Sequence, residues 1–161
     1  MKKGLKNSIA ALLLVIIFFL GYIRETSFLI LNTVINNYPF PYNASYVSPP
    51  NFLYSFNNQT LIAVKWGLTF GFSVIFFLMS FILINFYFKN KNFNKITSWA
   101  YLFLVGVSFL IALLGIIMGS FDETYALSRF FIGLAQSPLV PLVLVVLFYF
   151  KNKVEIEEIN P

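Results

Sequence analysis

The sequence predicts an all-α fold, an integral membrane four-helix bundle in which a long outer loop joins helices 1 and 2. Three observations support this prediction. Of the 161 residues, 59% are hydrophobic and only 11% are charged, which leaves too little polar surface to cover a water-soluble globule. Four apolar segments are long enough to cross a bilayer. The lysines that flank these segments all fall on one side of a four-span arrangement.

We expect one transmembrane domain that covers residues 1–161. A helix rises about 1.5 Å per residue, so about 20 apolar residues cross the roughly 30 Å hydrocarbon core. The segments that meet this length are predicted spans at about 9–31, 61–88, 98–119 and 125–150. An outer loop at 36–60 joins the first two spans, and a cytoplasmic tail follows the last at 151–161.

The first span contains two adjacent charges, Arg24 and Glu25. The uninterrupted apolar run before them, Ile9 to Ile23, has 15 residues and would form only about 22 Å of helix. The helix is therefore predicted to continue past the charges to Leu31, which places both charges at the level of one leaflet. Because no small residues of a cleavage site follow the run, we interpret it as an uncleaved helix rather than a signal peptide.

The outer loop at 36–60 has no charged residue and is rich in prolines and aromatic residues. The prolines exclude a regular helix, and the aromatic rings favour the headgroup level of the bilayer. Two interpretations stay open, an interfacial loop without a ligand and a lid over a polar site. The residues concerned are Pro39, Pro41, Pro49 and Pro50, and Tyr38, Phe40, Tyr42, Tyr46, Phe52, Tyr54 and Phe56.

Small residues at helical spacing predict close packing of the later spans. In the third span these are Ser108, Ala112, Gly115 and Gly119, and Gly67-x-x-x-Gly71 and Gly133-x-x-x-Ser137 repeat the spacing in the second and fourth spans. Small residues let two helix backbones approach each other closely. Packing within the chain and homodimerisation both fit this pattern.

The fourth span carries a polar face and two prolines. Arg129, Gly133 and Gln136 share one side of the predicted helix, and Pro138 and Pro141 follow. Each proline removes a backbone donor and clashes with the preceding turn, so we predict a kink near Ser137.

The positions of the lysines predict the orientation. Eight of the nine lysines, all except Lys65, lie at the N-terminus, between the second and third spans, or after the fourth span, which places both termini in the cytoplasm by the positive-inside rule. The net charge of +5 then reflects orientation rather than nucleic-acid binding. These lysines are Lys2, Lys3, Lys6, Lys89, Lys91, Lys95, Lys151 and Lys153.

This topology collects charges in the outer layer. Arg24, Lys65 and Arg129 meet the acidic residues Glu25, Asp122 and Glu123 there, and Thr69 and Gln136 are neutral donors on the same faces. As sequence neighbours, Arg24 and Glu25 point about 100° apart and are expected to have different partners, with Glu25 near Lys65 or Arg129. Lys65 and Arg129 could instead snorkel to the headgroups. The candidate binding residues are Arg24, Glu25, Lys65, Thr69, Arg129 and Gln136.

The chain has neither cysteine nor histidine. This excludes a thiol nucleophile, an imidazole base, a disulfide and an ordinary zinc or haem site, so no cofactor or metal is expected. A membrane enzyme would have to use paired carboxylates, and no spacing in the sequence singles out such a pair.

Two segments carry a family resemblance: Gly21-Tyr22-Ile23-Arg24-Glu25 at the end of the first span, and Arg129 to Pro138 in the last. With its four spans and its aromatic outer loop, the chain resembles the exosortase-associated membrane proteins of Gram-negative bacteria. The resemblance implies an accessory factor of a membrane protein-sorting enzyme. That enzyme works with Cys, Arg and His, so this chain is not expected to be the enzyme itself.

Two classes of function follow. The first is a non-catalytic accessory or assembly protein of the bacterial inner membrane, whose partners are the lipid bilayer and a sorting enzyme or another membrane protein. The second is a small transporter or lipid-headgroup-binding protein, in which the outer cations recognise an anionic group. The sequence does not determine the oligomeric state.

Overall fold

The computed structural model describes residues 3–38 and 47–159 of the chain, and in this part the secondary structure is entirely helical. This confirms the all-α prediction. The helices are α1 (Lys3–Ile35), a short 3₁₀ helix (Asn51–Ser55), α2 (Asn58–Phe88), α3 (Lys91–Ile117), α4 (Phe121–Ala135) and α5 (Leu139–Ile159).

Three of these helices, α1, α2 and α3, are each long and apolar enough to cross a membrane. Helices α4 and α5 meet the same criterion only together, and a bend of 54° separates them. The length and composition of the helices therefore indicate a membrane protein.

The helices extend beyond the predicted spans. Helix α1 has 33 residues and is about 50 Å long, because Arg24 and Glu25 do not interrupt its backbone. It ends where Asn37 adopts a left-handed conformation with φ of 51°, which is a common way to stop a helix. Residues 151–159 continue α5 rather than forming a separate tail.

The connection between α2 and α3 is shorter than the sequence predicts. Lys89 takes a left-handed conformation after α2, and the side chain of Asn90 accepts a hydrogen bond from the backbone N–H of Asn92 at 2.9 Å. This cap starts α3 at Lys91, so Lys91 and Lys95 belong to the helix and not to a loop.

The break between α4 and α5 lies at Gln136, Ser137 and Pro138, which confirms the predicted kink. Pro138 has no backbone N–H to continue the helix. The N–H of Gln136 donates to the carbonyl oxygens of Ile132 at 3.1 Å and Gly133 at 3.2 Å, so the last turn of α4 tightens. This leaves the side chain of Gln136 free to make contacts outside its own helix.

The break packs against α1 at Gly21. A Cβ atom at this glycine would lie 2.8 Å from Cγ and 3.0 Å from Cδ of Pro138. A proline ring is rigid, so only a residue without a side chain allows this approach. The contact between Gly21 and Pro138 places the α4–α5 break against the middle of α1.

One end of the molecule gathers lysines and aromatic rings. The rings of Phe93 and Phe148 stack with centroids 4.3 Å apart, and Nζ of Lys151 lies 5.9 Å from the centre of the Phe93 ring. Nζ of Lys6 lies 5.0 Å from the centre of the Tyr87 ring. The beginnings of α1 and α3 therefore lie at the same end as the last turn of α2 and the middle of α5.

Helices α3 and α4 are joined by two buried serines. Oγ of Ser108 donates to the carbonyl oxygen of Ser128 at 2.9 Å, and Oγ of Ser128 donates to that of Ser108 at the same distance. Gly115, in the predicted small-residue stripe, is also buried. Gly67 and Gly71 differ, because no atom lies within 4 Å of a Cβ added at either, so they do not mark an interhelical contact in this chain.

The outer loop is described at 36–38 and 47–57. Residues 39–46, which include Pro39, Phe40, Pro41, Tyr42 and Tyr46, lie outside the described residues. Leu53, in the 3₁₀ helix, packs on a cluster formed by Leu31, Val34 and Leu61, where α1 ends and α2 begins. The neighbouring aromatic residues, Phe52, Tyr54 and Phe56, are exposed.

We predict that Gly21→Ala lowers the free energy of unfolding by about 1–3 kcal/mol, because the added methyl group overlaps the Pro138 ring. Gly71→Ala is the matched control, and it should be neutral or stabilising by up to about 1 kcal/mol because alanine favours helix. Denaturant titration in mixed micelles measures both. A Gly21→Ala variant at least as stable as the wild type would contradict the close packing.

Candidate functional site

The side chain of Gln136 lies at the centre of a polar network, with only 1% of its surface exposed. Its Oε1 accepts a hydrogen bond from Nε of Arg24 at 3.2 Å. Its Nε2 donates to the carbonyl oxygen of Thr69 at 2.6 Å and to Oγ of Ser73 at 2.9 Å. One amide thus links the α4–α5 break to both α1 and α2.

The direction of each hydrogen bond in this network is determined by its chemistry. A guanidinium has only donors, so the atom of Gln136 that faces Arg24 must be the amide oxygen. The amide nitrogen then faces Thr69 and Ser73, where it meets two acceptors. Oγ of Ser73 donates in turn to the carbonyl oxygen of Thr69 at 2.8 Å. Every polar atom of the Gln136 side chain therefore has a partner.

The guanidinium of Arg24 is held on three sides. Its Nε reaches Gln136, its NH1 nitrogen pairs with Oε2 of Glu25 at 2.7 Å, and its central carbon lies 4.8 Å from the centre of the Phe28 ring. The remaining nitrogen, NH2, is 3.8 Å from the place where a Cβ of Gly133 would lie. The side chain is thus fixed with NH2 directed toward the glycine face of α4.

The pairing of Arg24 with Glu25 shows that the expectation of separate partners was wrong. The two side chains leave the helix in different directions, but both are long and flexible enough to bend toward each other. The Glu25 side chain is 62% exposed, against 17% for Arg24, so the pair forms at the surface. An exposed ion pair contributes about 0–1 kcal/mol, less than a hydrogen bond to a charged group.

Lys65 and Arg129 do not meet Glu25 in the structure. Among the described residues, neither of these cations takes part in an ion pair. Lys65 contributes to the polar network only through its carbonyl oxygen, which accepts from Oγ1 of Thr69 at 2.8 Å. Nothing is described of the Asp122 side chain, and Glu123 is exposed.

Arg24 and Arg129 line one open groove of about 470 Å³ between α1 and α4. The α4 residues follow each other at spacings of three and four, so one face of the helix forms the wall. None of the described lining residues is acidic, so these residues present two guanidiniums to the groove and no carboxylate. The lining residues are Arg24, Ala126, Arg129, Phe130, Gly133, Leu134, Ser137 and Leu139.

The structure therefore sorts the six predicted site residues into two groups. Arg24, Thr69 and Gln136 come together in the network, and Arg129 joins Arg24 in the groove, whereas the ammonium of Lys65 has no part in either. Glu25 contacts Arg24 at the edge. Ser73 is a network member that the candidate residues did not include, although its spacing of four from Thr69 places both residues on one polar face of the helix.

Comparison of the chain with protein-family models, with curated proteins and with solved structures finds no match. Function is therefore inferred from the groove and from the residues that hold Arg24 in place.

We predict that Arg24 and Gln136 are coupled energetically. In a double-mutant cycle with Arg24→Met and Gln136→Leu, the coupling energy should be about 1.5–3 kcal/mol, the range for a hydrogen bond to a charged group. The matched cycle of Arg24→Met with Glu25→Gln should give about 0–1 kcal/mol, because Glu25 is exposed. Unfolding in mixed micelles measures both. A larger coupling to Glu25 than to Gln136 would show that the amide does not hold the guanidinium.

Proposed function

We propose that the protein is a non-catalytic, multi-pass protein of a bacterial inner membrane whose groove recognises an anionic group at the outer leaflet. The observation that carries this proposal is the pair of guanidiniums, Arg24 and Arg129, in one open groove whose described lining residues include no acidic one. Planar guanidiniums donate paired hydrogen bonds to carboxylate or phosphate oxygens, and they keep their charge at all physiological pH values.

The position of Arg24 along α1 supports binding at a membrane surface. Lys6 and Arg24 are 18 residues apart, which corresponds to about 27 Å of helix, close to the roughly 30 Å thickness of the hydrocarbon core. If Lys6 lies at the cytoplasmic boundary, Arg24 lies near the opposite one. An arginine at this depth that is oriented by an amide and an aromatic ring is a candidate for ligand binding rather than for free snorkelling.

The contacts at the lysine end support four crossings with both termini in the cytoplasm. Helix α4 has 15 residues, about 22 Å, and is too short to cross alone. If α4 and α5 together formed a re-entrant loop, α5 would end on the outer side. Instead, Phe148 stacks on Phe93 at the end where α1 begins. This favours one bent span built from both helices.

A second candidate is the accessory role that the family resemblance suggests, in which the protein contacts a sorting enzyme or another membrane protein. The exposed aromatic residues of the outer loop favour it, since Leu53 anchors the 3₁₀ helix while Phe52 and Tyr54 face outward. A photo-reactive amino acid at Phe52 would then give a protein adduct in native membranes, and one at the exposed Phe103 of α3 would not.

The topology predicts the response of a reporter enzyme that is active only outside the cytoplasm. Fused after Pro161 it should be inactive, and inserted near Ser48 it should be active, because the lysine-rich end faces the cytoplasm. Enzyme activity in intact cells measures both. If both fusions are active, α4 and α5 form a re-entrant loop instead of a span, and if only the fusion after Pro161 is active, the orientation is inverted.

Anion recognition predicts that Arg129→Gln weakens binding of a phosphate-bearing probe about tenfold or more, since a charge-assisted contact is lost. The probes are inorganic phosphate, glycerol 3-phosphate and dioctanoyl phosphatidic acid, added to the full chain in dodecyl maltoside micelles, which contain no phosphate. Binding is followed by native mass spectrometry or calorimetry.

Lys65→Gln is the matched control, because Lys65 is an outer cation that does not line the groove. It should leave binding unchanged. If no probe binds in a manner that depends on Arg129, or if Lys65→Gln has the same effect, the groove is not the anion site.

A further inference from the structure

The groove that holds Arg24 and Arg129 is otherwise lined mainly by apolar or small side chains. Phe130 and Leu139 are exposed by 59% and 56%, and Leu134 completes the apolar wall. Only Ser137 adds a neutral polar group. A small hydrated anion would leave these apolar surfaces without a partner, whereas a hydrocarbon chain would cover them.

The polar and apolar parts of the groove follow each other along the chain. Arg129 lies in the middle of α4, Leu134 one turn further, and Leu139 at the start of α5, which leads to the lysine-rich end. The apolar part of the groove therefore lies nearer to the membrane centre than Arg129 does. This order of charge and hydrocarbon matches that of a lipid in the outer leaflet.

The orientation of Arg24 specifies where the charged group of a ligand would lie. Nε and NH1 are occupied by Gln136 and Glu25, and NH2 points to the space beside Gly133. A carboxylate has two oxygens, and a single guanidinium can donate hydrogen bonds to both of them. A phosphate has more acceptor oxygens, so it can be shared between NH2 of Arg24 and the guanidinium of Arg129.

We infer that the groove takes a phosphate-bearing lipid, with the phosphate between Arg24 and Arg129 beside Gly133 and the hydrocarbon chain along Leu134 and Leu139. This rests on the proposed function and adds to it the class of ligand and its path, which is lateral entry from the bilayer. A water-soluble phosphate ester carries the same charged group as a phosphate-bearing lipid. The two kinds of ligand therefore differ only in the contribution of the hydrocarbon chain to binding.

The test compares three probes with the full chain in dodecyl maltoside micelles, which contain no phosphate. Dioctanoyl phosphatidic acid carries both parts, glycerol 3-phosphate only the phosphate, and dioctanoylglycerol only the chains. The complete lipid should bind at least about tenfold more tightly than either part, since burial of two methylene groups is enough for such a gain.

Two variants change the groove without changing its charge. Gly133→Leu fills the space beside NH2 of Arg24, and Leu139→Asn places an amide where the chain would lie. Each should weaken binding of dioctanoyl phosphatidic acid about tenfold. Gly67→Leu is the matched control on an exposed glycine of α2, and it should have no effect. Thermal unfolding without ligand shows whether each variant is folded.

The possible outcomes separate this inference from the proposed function. If glycerol 3-phosphate binds as tightly as the lipid and still depends on Arg129, the lipid is excluded and anion recognition stands. If dioctanoylglycerol binds as tightly as the lipid, the phosphate is not recognised and both proposals fail. If Leu139→Asn is folded and binds the lipid with unchanged affinity, the chain does not follow the inferred path.

Discussion

The side chain of Gln136 is the constraint on which the arrangement of the helices depends. It lies at a break in an apolar helix pair and is almost completely buried. A buried amide without hydrogen bonds costs several kcal/mol in an apolar environment, so its partners must be supplied by neighbouring helices. Arg24 from α1 and Thr69 and Ser73 from α2 supply them. The requirement to satisfy one amide thus fixes the break relative to two other helices.

The same amide determines how Arg24 is presented. The neutral Gln136 and the Phe28 ring hold the guanidinium from the protein side, and Glu25 pairs with it from the exposed side. A buried carboxylate in place of Gln136 would add a second negative charge beside the guanidinium, whereas the amide orients it without adding charge. Arg24 is therefore fixed in position, and Arg129, which has no ion pair among the described residues, supplies the positive charge that attracts an anion into the groove.

Much of this organisation could be predicted from the sequence, because it depends on length and on local chemistry. The apolar runs predict helices, Pro138 predicts the break, and the depth of Arg24 in an apolar span marks it as a residue in need of partners. Helical spacing also places Thr69 and Ser73 on one face of α2. These properties do not depend on how the helices are arranged in space.

The partner of each polar group could not be predicted in the same way. Spacing defines a face of a helix but not the direction in which that face points in the bundle, so Glu25 was expected near Lys65 or Arg129 and is found on Arg24 instead. Gly67 and Gly71 show the same limit, since their spacing is that of glycines in a helix contact, yet no atom of another helix lies within 4 Å of a Cβ added at either. Contacts of this kind depend on helix rotation, which becomes fixed only when the buried polar groups find partners.

The most direct measurement of the central claim is a crosslink between α1 and the α4–α5 break. The chain has no cysteine, so Gly21→Cys with Pro138→Cys introduces a single pair, at two positions that are in contact in the structure. A protease site inserted near Ser48 separates α1 from the other helices after cleavage. We predict that, after oxidation in native membranes, the fragments stay joined until a reductant is added, and that Phe19→Cys with Pro138→Cys does not join them, because Phe19 is an exposed residue of α1. Equal crosslinking of both pairs, or none in a folded protein, would show that the break is not seated on α1.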